Sequence, residues 1–226
     1  MLPWRGSTRT AYLAPVPDGR PPSSSFIESC VARLSSQGYT GVITPALAPA
    51  EQRPFLLAGF EPHERLHLLA HDLLELPPFQ RGATRRAHRA DKRAVLAVDR
   101  AAFSPFWQLD RGGLQEALEA VPVTRFRVST AAKGATAVKS NVVGYAIAGA
   151  AARQGYLQRL AVDPGHQHEG RGLALVADAL RWMRRRGVGR AVVNTQLGNK
   201  AALSLYTRAG FRVQPAGLAV LRRALD

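Results

Sequence analysis

Residues 155–213 read GYLQRLAVDPGHQHEGRGLALVADALRWMRRRGVGRAVVNTQLGNKAALSLYTRAGFRV, and the stretch Tyr156–Val213 within them decides the fold. Tyr156–Val162 alternates apolar and polar residues, which predicts a strand, and the Asp-Pro-Gly that follows ends it. The next apolar residues keep helical spacing as far as Arg186, where Gly187 ends the helix. A strand, a turn, a second helix and a last strand complete the predicted pattern.

The turn Gln167–Gly172 predicts an anion-binding site, because two glycines one residue apart stand between a strand and a helix. Glycine lets the backbone approach a ligand closely. The N–H groups of a first helical turn lack partners, and the helix dipole favours negative charge. A phosphate or pyrophosphate is therefore the expected ligand. An ordinary strand–helix turn is the alternative, and neither GxxxxGK[ST] nor GxGxxG fits the spacing.

Val162-Asp163-Pro164, followed by Gln167, Gly170 and Gly172, resembles the acetyl-CoA signature Q/R-x-x-G-x-G/A of the GCN5-related N-acetyltransferases. Asn199–Phe211 resembles the second signature of that family, N-x-x-A-x-x-L-Y-x-x-x-G-F. The signatures stand in the expected order, and the resemblance runs from Thr84 to the C-terminus. It implies an α/β fold with a mixed central sheet flanked by helices, in the order β-α-α-β-β-β-α-β-α-β.

The resemblance also implies acetyl-CoA as the cofactor and no metal. In the family two central strands splay apart and the pantetheine arm lies between them, while backbone N–H groups of the glycine-rich turn meet the pyrophosphate. The side chain of Arg171 either adds charge there or faces solvent, and Asn199 either binds the cofactor or caps its helix. The implied cofactor residues are Leu160, Ala161, Val162, Gln167, His168, Glu169, Gly170, Arg171, Gly172, Leu173, Asn199 and Tyr206.

Tyr206 is the implied general acid, because a phenol with an unperturbed pKa near 10 can protonate the departing thiolate. A core tyrosine is the alternative. The oxyanion would meet a backbone N–H near Leu160 or Ala161.

The general base is open, because Asn194 stands where relatives that acetylate protein N-termini often carry a glutamate. A base acting through ordered water is one option. The carboxylate candidates are Asp110, Glu116 and Asp99. His166 and His168 are weaker candidates, because they lie on the phosphate side. The region that lines the acceptor in the family contains Phe103, Phe106 and Trp107 here.

Residues 1–76 are predicted to be a smaller, degenerate half-copy of the C-terminal half of the acetyltransferase unit. Ala58-Gly59-Phe60 matches Ala209-Gly210-Phe211, and a helix, a glycine, a strand and a helix precede both. Phe55 stands where the second copy has Tyr206, and no glycine signature precedes the first helix. Chance similarity is the alternative. Residues 77–83 are the predicted linker and 84–226 the catalytic domain.

The other elements follow from periodicity and turn residues. Ser24 or Ser25 is expected to cap a helix that reaches Gln37 and places Phe26, Ile27, Val31 and Leu34 on one face. Further strands are predicted at Tyr39–Thr44, Leu66–Leu74, Thr84–His88, Arg125–Thr130 and Val142–Ala148, with a loop at Lys133-Gly134 and Lys139-Ser140-Asn141, and further helices at Pro49–Ala58, Ala90–Phe103 and Leu114–Ala120.

The composition limits the remaining choices. The formal net charge of +15 attracts anions, but the densest basic cluster, between Arg81 and Arg93, lacks the interleaved aromatics of a single-strand platform. A nucleic-acid partner is therefore not expected. One cysteine excludes an internal disulfide, and no apolar run approaches the about 20 residues of a membrane span, which predicts a soluble, cytoplasmic protein.

The leading hypothesis is an N-acetyltransferase that acts on a primary amine, namely a protein N-terminus, a lysine or a small amine. Homodimerisation is left open. The alternatives are a catalytically silent CoA-binding protein and a basic nucleic-acid-associated protein.

Overall fold

The structure is a computed structural model that describes residues 2–4, 7, 9–16, 19–79, 82–131 and 141–225. Its strands are β1 (Leu2–Pro3), β2 (Thr10–Tyr12), β3 (Gly41–Leu47), β4 (Glu61–His71), β5 (Arg85–Arg86), β6 (Val123–Thr130), β7 (Val142–Ala151), β8 (Gln154–Val162), β9 (Arg190–Gln196), β10 (Arg212–Val213) and β11 (Leu218–Ala224). Its helices are α1 (Ser24–Ser36), α2 (Pro49–Leu57), α3 (Lys92–Ala102), α4 (Arg111–Glu119), α5 (Arg171–Arg185) and α6 (Lys200–Arg208). Short 3-10 turns lie at Arg89–Asp91, Pro105–Trp107 and Pro164–His166.

The order of elements from β5 to β10 is β-α-α-β-β-β-α-β-α-β, as the sequence predicts. The expected α/β class with a mixed sheet flanked by helices is confirmed. The predicted loop at Lys133-Gly134 and Arg81 of the basic cluster lie outside the described residues. None of the described helices is long and apolar enough to cross a bilayer.

The chain forms two compact units, each with its own core. The first comprises Met1–Leu68, Asn194–Lys200 and Gln214–Asp226, and the second comprises Leu69–Val193 and Ala201–Val213. Within the first unit the strand order is β1-β2-β3-β11-β4, where the β2–β3 pair is parallel and the other pairs are antiparallel. Residues of β2, β3, β11, α1 and α2 supply its core, with Ile27, Leu34 and Phe55 almost fully buried.

The second unit builds its sheet in the order β9-β8-β7-β6-β5, where β8–β9 is parallel and the other pairs are antiparallel. Strand β7 is buried on both faces. Because side chains alternate along a strand, Tyr145 and Ile147 join a core with α3 and α4, whereas Ala146 and Ala148 join one with α5. Helices thus cover both faces of the sheet around β8.

Several local predictions are corrected. The side chain of Ser23, rather than Ser24 or Ser25, caps α1 by accepting a hydrogen bond from Phe26 N, and Phe26 itself is 61% exposed instead of facing the core. The strand predicted at Leu66–Leu74 runs over Glu61–His71, and α4 begins at Arg111 instead of Leu114. For the cap, the difference arises because Ser23, Ser24 and Ser25 are adjacent and each can accept such a bond.

Candidate active site

The central strand β8 has one edge that pairs only in part. On one side β7 accompanies it from Gln154 to Val162. On the other side the parallel pairing with β9 covers Gln154–Tyr156 against Arg190–Val192. Among the described residues, no ladder partner continues along this edge from Leu157 to Val162. The backbone there therefore offers N–H and C=O groups to an extended ligand, in the manner of an added strand.

A β-bulge interrupts β8 where this free edge begins. The register with β7 pairs Ile147 with Arg159 but Ala148 with Leu157, so Gln158 is the extra residue. A bulge re-aims the side chains that follow it. Arg159 accordingly contacts residues of the α3 side, while Leu160 packs against the core around α5. The predicted cofactor residues Leu160, Ala161 and Val162 follow directly.

The turn after β8 is held by its own polar groups. Asp163 Oδ1 accepts a hydrogen bond from Gly165 N at 2.9 Å, and the side-chain amide of Gln167 donates to Val162 O at 3.3 Å. His168 and Gly170 both have positive φ, 63° and 76°. Because residues other than glycine rarely adopt this conformation, His168 marks a strained position in the turn.

Helix α5 begins directly after this turn with an uncapped N-terminus. Gly170 is the N-cap residue and has no side chain that could accept from the first turn. The first helical bond runs from Ala174 N to Gly170 O. The N–H groups of Arg171, Gly172 and Leu173 thus precede the helical pattern and suit an anion.

The two glycines of the turn are required for different reasons. A Cβ at Gly170 would meet nothing within 4 Å, so its left-handed backbone explains glycine there. A Cβ at Gly172 would lie 3.0 Å from Leu205 Cδ2 of α6. Gly172 therefore also permits the close packing of α5 against α6, a purpose that the spacing of the motif did not reveal.

Arg171 is tied to the end of β6 by its side chain. Its Nε donates to Glu169 Oε2 at 2.7 Å, and its Nη1 donates to Thr130 O at 2.8 Å and to Ser129 Oγ at 3.2 Å. The side chain is only 20% exposed, so it does not simply face solvent. Its predicted contribution of charge to the anion site stays a prediction.

Tyr206 lies on α6 and is buried, with 6% of its surface exposed. Its ring packs edge-on against Phe211 with centroids 5.8 Å apart. The hydroxyl forms no hydrogen bond with any described residue, although buried tyrosine hydroxyls usually find a partner. Burial raises the pKa of the Tyr206 phenol, and the charge of Arg159 lowers it by a smaller amount. The phenol is therefore protonated at neutral pH.

Asn199, the first residue of the second signature, belongs to the first unit. It directly precedes α6, and its backbone N–H donates to Gln196 O at 3.0 Å. Its predicted interaction with the cofactor stays a prediction.

The three candidate bases have different surroundings. Asp110 accepts a hydrogen bond from Gly113 N at 2.7 Å and caps α4, which is the structural alternative that the sequence allowed. Glu116 is exposed on the same helix. Asp99 is fully buried and its carboxylate accepts hydrogen bonds from Arg159, from the Tyr145 hydroxyl and from Leu109 N. Asp99 is thus the charge partner of an arginine, and the base stays unassigned.

His166 and His168 stay on the turn, as expected. His166 Nδ1 lies 3.4 Å from Asp163 Oδ1.

Sequence reasoning missed the pair formed by Arg159 and Asp99. Arg159 Nε and Nη2 each donate to the carboxylate of Asp99, at 2.9 and 3.0 Å, and Nη2 also donates to Trp107 O at 2.6 Å. The ring of Phe103 lies 3.6 Å from the guanidinium carbon. The available signals were an arginine in a strand next to Leu160 and an aspartate on the apolar face of α3.

Comparisons with known proteins agree with this geometry. The sequence model of the acetyltransferase (GNAT) family matches residues 99–211. A GCN5-related N-acetyltransferase from Sphaerobacter thermophilus has a TM-score of 0.56 at 20% identity, over 81% of this chain and 59% of its own length. A putative GNAT acetyltransferase from Novosphingobium aromaticivorans has a TM-score of 0.62 at 17% identity, over 90% and 81%.

A third solved structure is a tandem GNAT protein from the clavulanic acid biosynthesis pathway. Its TM-score is 0.60 at 13% identity, over 88% of this chain and 69% of its own length. At these identities the solved structures show the fold alone, and the chain spans 59% of the Sphaerobacter protein. No curated protein matches the chain. Because the family model spans 113 of its 226 residues and the fold agrees, the chain belongs to the acetyltransferase (GNAT) family.

Proposed function

We propose that the chain transfers the acetyl group of acetyl-CoA to a primary amine by direct attack within a ternary complex. The unpaired edge of β8 from Leu157 to Val162 carries this proposal. An unpaired strand edge inside a sheet is costly unless a ligand with its own amide groups completes it. Pantetheine has two such amides.

The uncapped N-terminus of α5 supports the placement of the pyrophosphate. The N–H groups of Arg171, Gly172 and Leu173 suit two phosphates, and the left-handed Gly170 lets the backbone approach them. The side chain of Arg171 links the turn to the end of β6 by donating to Thr130 O. The bound acetyl-CoA would supply an activated thioester next to β8, and the N–H of Leu160 or Ala161 is proposed to stabilise negative charge on its carbonyl oxygen.

Tyr206 is the proposed general acid. Its side chain is buried, its hydroxyl has no hydrogen-bond partner among the described residues, and the phenol is protonated at neutral pH. It can therefore give its proton to a leaving thiolate, and the nearby charge of Arg159 favours the phenolate that remains. The base that removes the proton of the amine stays open, and Asp110 and Glu116 remain its carboxylate candidates.

We also propose that residues 1–76 are a degenerate half-copy of the acetyltransferase unit, followed by the linker 77–83 and the catalytic domain 84–226. The two copies form matching backbone hydrogen bonds at the start of one strand. Thr40 N and Gly41 N both donate to Arg9 O, and in the other unit Gly189 N and Arg190 N both donate to Arg153 O. Parallel pairing then lasts three residues in both units.

The match continues at the second helix of each copy. Phe60 N donates to Phe55 O, and Phe211 N donates to Tyr206 O. The rings within each pair also pack edge-on, at 5.3 and 5.8 Å. Gly59 and Gly210, which precede the phenylalanines, both have positive φ. These shared features support the half-copy, although the same backbone bond also ends α1 and α5, from Tyr39 N to Leu34 O and from Val188 N to Met183 O.

In the first unit a cavity of about 270 Å³ is lined by Leu13, Ile27, Cys30 and Phe55, among others. The cavity is mainly apolar, and Phe55 brings no hydroxyl to it. Ser23 already caps α1 there. This copy therefore lacks an anion site, and we expect one acetyl-CoA per chain.

Calorimetric titration of the purified chain with acetyl-CoA and with desulfo-CoA tests the proposal. A stoichiometry near one is expected, and an amine screen that follows the release of free thiol is then expected to find an acceptor. Two sites per chain would contradict the degenerate half-copy. No binding of either ligand would refute the proposed function.

A further inference from the structure

Arg159 joins the proposed cofactor strand to the segment expected to line the acceptor. It stands on β8 immediately before Leu160. Its guanidinium donates to Trp107 O at 2.6 Å and lies under the ring of Phe103 at 3.6 Å. Phe103 and Trp107 are both half-buried. A group bound at Arg159 would therefore lie between aromatic side chains and the edge of β8.

The guanidinium of Arg159 is held in place by hydrogen bonds, but not all of its donor hydrogens are used. Nε and Nη2 are committed to the Asp99 carboxylate and to Trp107 O. Nη1, which carries two of the five donor hydrogens of the group, forms no hydrogen bond with any described residue. The side chain is 12% exposed, so these donors are not fully covered. A planar guanidinium held in this way is preorganised to bind a carboxylate.

The carboxylate of Asp99 is not available to a cationic ligand. It is fully buried and accepts hydrogen bonds from Arg159, the Tyr145 hydroxyl and Leu109 N. Asp110, on the same segment, is turned to Gly113 N as a helix cap. A second positive charge on an acceptor would thus be repelled by the guanidinium of Arg159. A negatively charged acceptor could instead accept hydrogen bonds from Nη1.

Arg159 is also close to the reacting groups. Its charge acts on Tyr206, where it opposes the effect of burial on the phenol. On the strand it adjoins Leu160, whose N–H is a proposed site for the carbonyl oxygen. An anion at Arg159 would thus lie beside the strand that is proposed to hold the thioester, which favours an acceptor whose anion and amine are a short distance apart.

We propose that Arg159 determines acceptor specificity by binding a carboxylate next to the amine, so that the substrate class is an α-amino acid or a similar short amino carboxylate. This inference rests on the proposed acetyltransferase function. It favours such acceptors over polyamines and aminoglycosides, which carry extra positive charges.

The test compares L-phenylalanine with phenethylamine, which has the same ring and amine but lacks the carboxylate. Wild-type enzyme is expected to give a higher kcat/KM with L-phenylalanine. The double variant Asp99→Asn/Arg159→Gln removes both buried charges and leaves neither unpaired. Its ratio of the two kcat/KM values is expected to fall about 10- to 100-fold, the range for a lost hydrogen bond to a charged group. Arg159→Lys, which keeps a cation beside Asp99, is expected to lie between the two.

A second buried pair in the same unit supplies the matched control. Arg125 donates to Asp178 through Nε and Nη2, at 2.6 and 2.9 Å, and Asp178 is 3% exposed. Arg127 Nε also lies 3.4 Å from this carboxylate, and Arg127 keeps its hydrogen bond to Thr84 O in the control variant. The variant Arg125→Gln/Asp178→Asn is expected to keep the wild-type ratio. Because both rates are measured on one preparation, the fraction of folded enzyme cancels.

Two results would overturn the inference. One is an equal loss of both rates in the Arg159 variants, which would make the pair purely structural. The other is a wild-type preference for phenethylamine or spermidine over L-phenylalanine. Calorimetry with acetyl-CoA separates these results from failure of the proposed function: binding near one per chain leaves that function standing, whereas no binding overturns both.

Discussion

Replacing Tyr206 with phenylalanine separates a catalytic phenol from a packing ring. The hydroxyl has no hydrogen-bond partner among the described residues, so its removal leaves no orphaned group. The ring is buried against Phe211, and this packing is kept. Phe55 makes the equivalent edge-on pair with Phe60 in the first unit, at 5.3 Å. The free energy of unfolding is therefore expected to change by less than about 1 kcal/mol, since an unmade hydrogen bond cannot be lost.

The expected change lies in the rate. Loss of a general acid typically lowers the rate by about 10²-fold or more, which corresponds to about 2.7 kcal/mol of transition-state stabilisation. The Kd for acetyl-CoA is expected to stay the same. Because burial raises the pKa of Tyr206, wild-type kcat should show no decline due to this phenol below about pH 10. The assays are steady-state thiol release at saturating acetyl-CoA, calorimetry and chemical denaturation.

Tyr145→Phe is the matched control, because this tyrosine is equally buried but its hydroxyl donates to Asp99. It is expected to show the opposite pattern, with a stability loss of about 1–3 kcal/mol from the lost hydrogen bond to a charged group and a smaller effect on kcat. An unchanged kcat in Tyr206→Phe would refute the acid assignment. A parallel loss of acetyl-CoA affinity would instead indicate a binding role.

Three further outcomes are expected. Burial lowers the pKa of His71, so near pH 6 the unfolded chain binds a proton at this residue more readily than the folded chain does. The free energy of unfolding should therefore fall as the pH drops below 6.5, and urea titrations of His71→Gln should show a weaker decline. Asp99→Asn alone should destabilise the fold by about 3–5 kcal/mol in the same measurement, because it leaves a buried guanidinium unpaired. In calorimetry Gly170→Ala and Gly172→Ala should both weaken acetyl-CoA binding, because the first strains a left-handed backbone with φ 76° and the second places a Cβ 3.0 Å from Leu205.

The order of elements was predictable because each helix and strand has its own spacing of apolar residues and is bounded by turn residues such as glycine and proline. Gly187 and Gly210 end helices with positive φ, and both were visible as stops in the sequence. Strand ends were less predictable: the strand expected at Leu66–Leu74 begins at Glu61. Edge pairing with β11, far away in the chain, extends it through residues that look polar.

The polar cluster of Arg159 was beyond a reading of the sequence. Asp99, Tyr145 and Arg159 come from a helix and two strands, and only the sheet register brings them together. The bulge at Gln158 decides which side of β8 Arg159 faces, and nothing in the local composition marks a bulge there. The orientation of the Arg171 side chain was not predicted either, because its partners on β6 lie 41 and 42 residues away in the sequence.

The two units together indicate which features of the fold are general and which belong to catalysis. Both have a three-residue parallel pair, two helices that are followed by a glycine with positive φ (α1 and α2 in the first unit, α5 and α6 in the second) and an edge-on aromatic pair. They differ at the helix start and at one hydroxyl. Ser23 caps α1, whereas α5 begins after Gly170 without a side-chain cap, and Phe55 occupies the position that the proposed half-copy matches to Tyr206. If the half-copy holds, these differences point to residues whose proposed purpose is to bind a pyrophosphate and donate a proton.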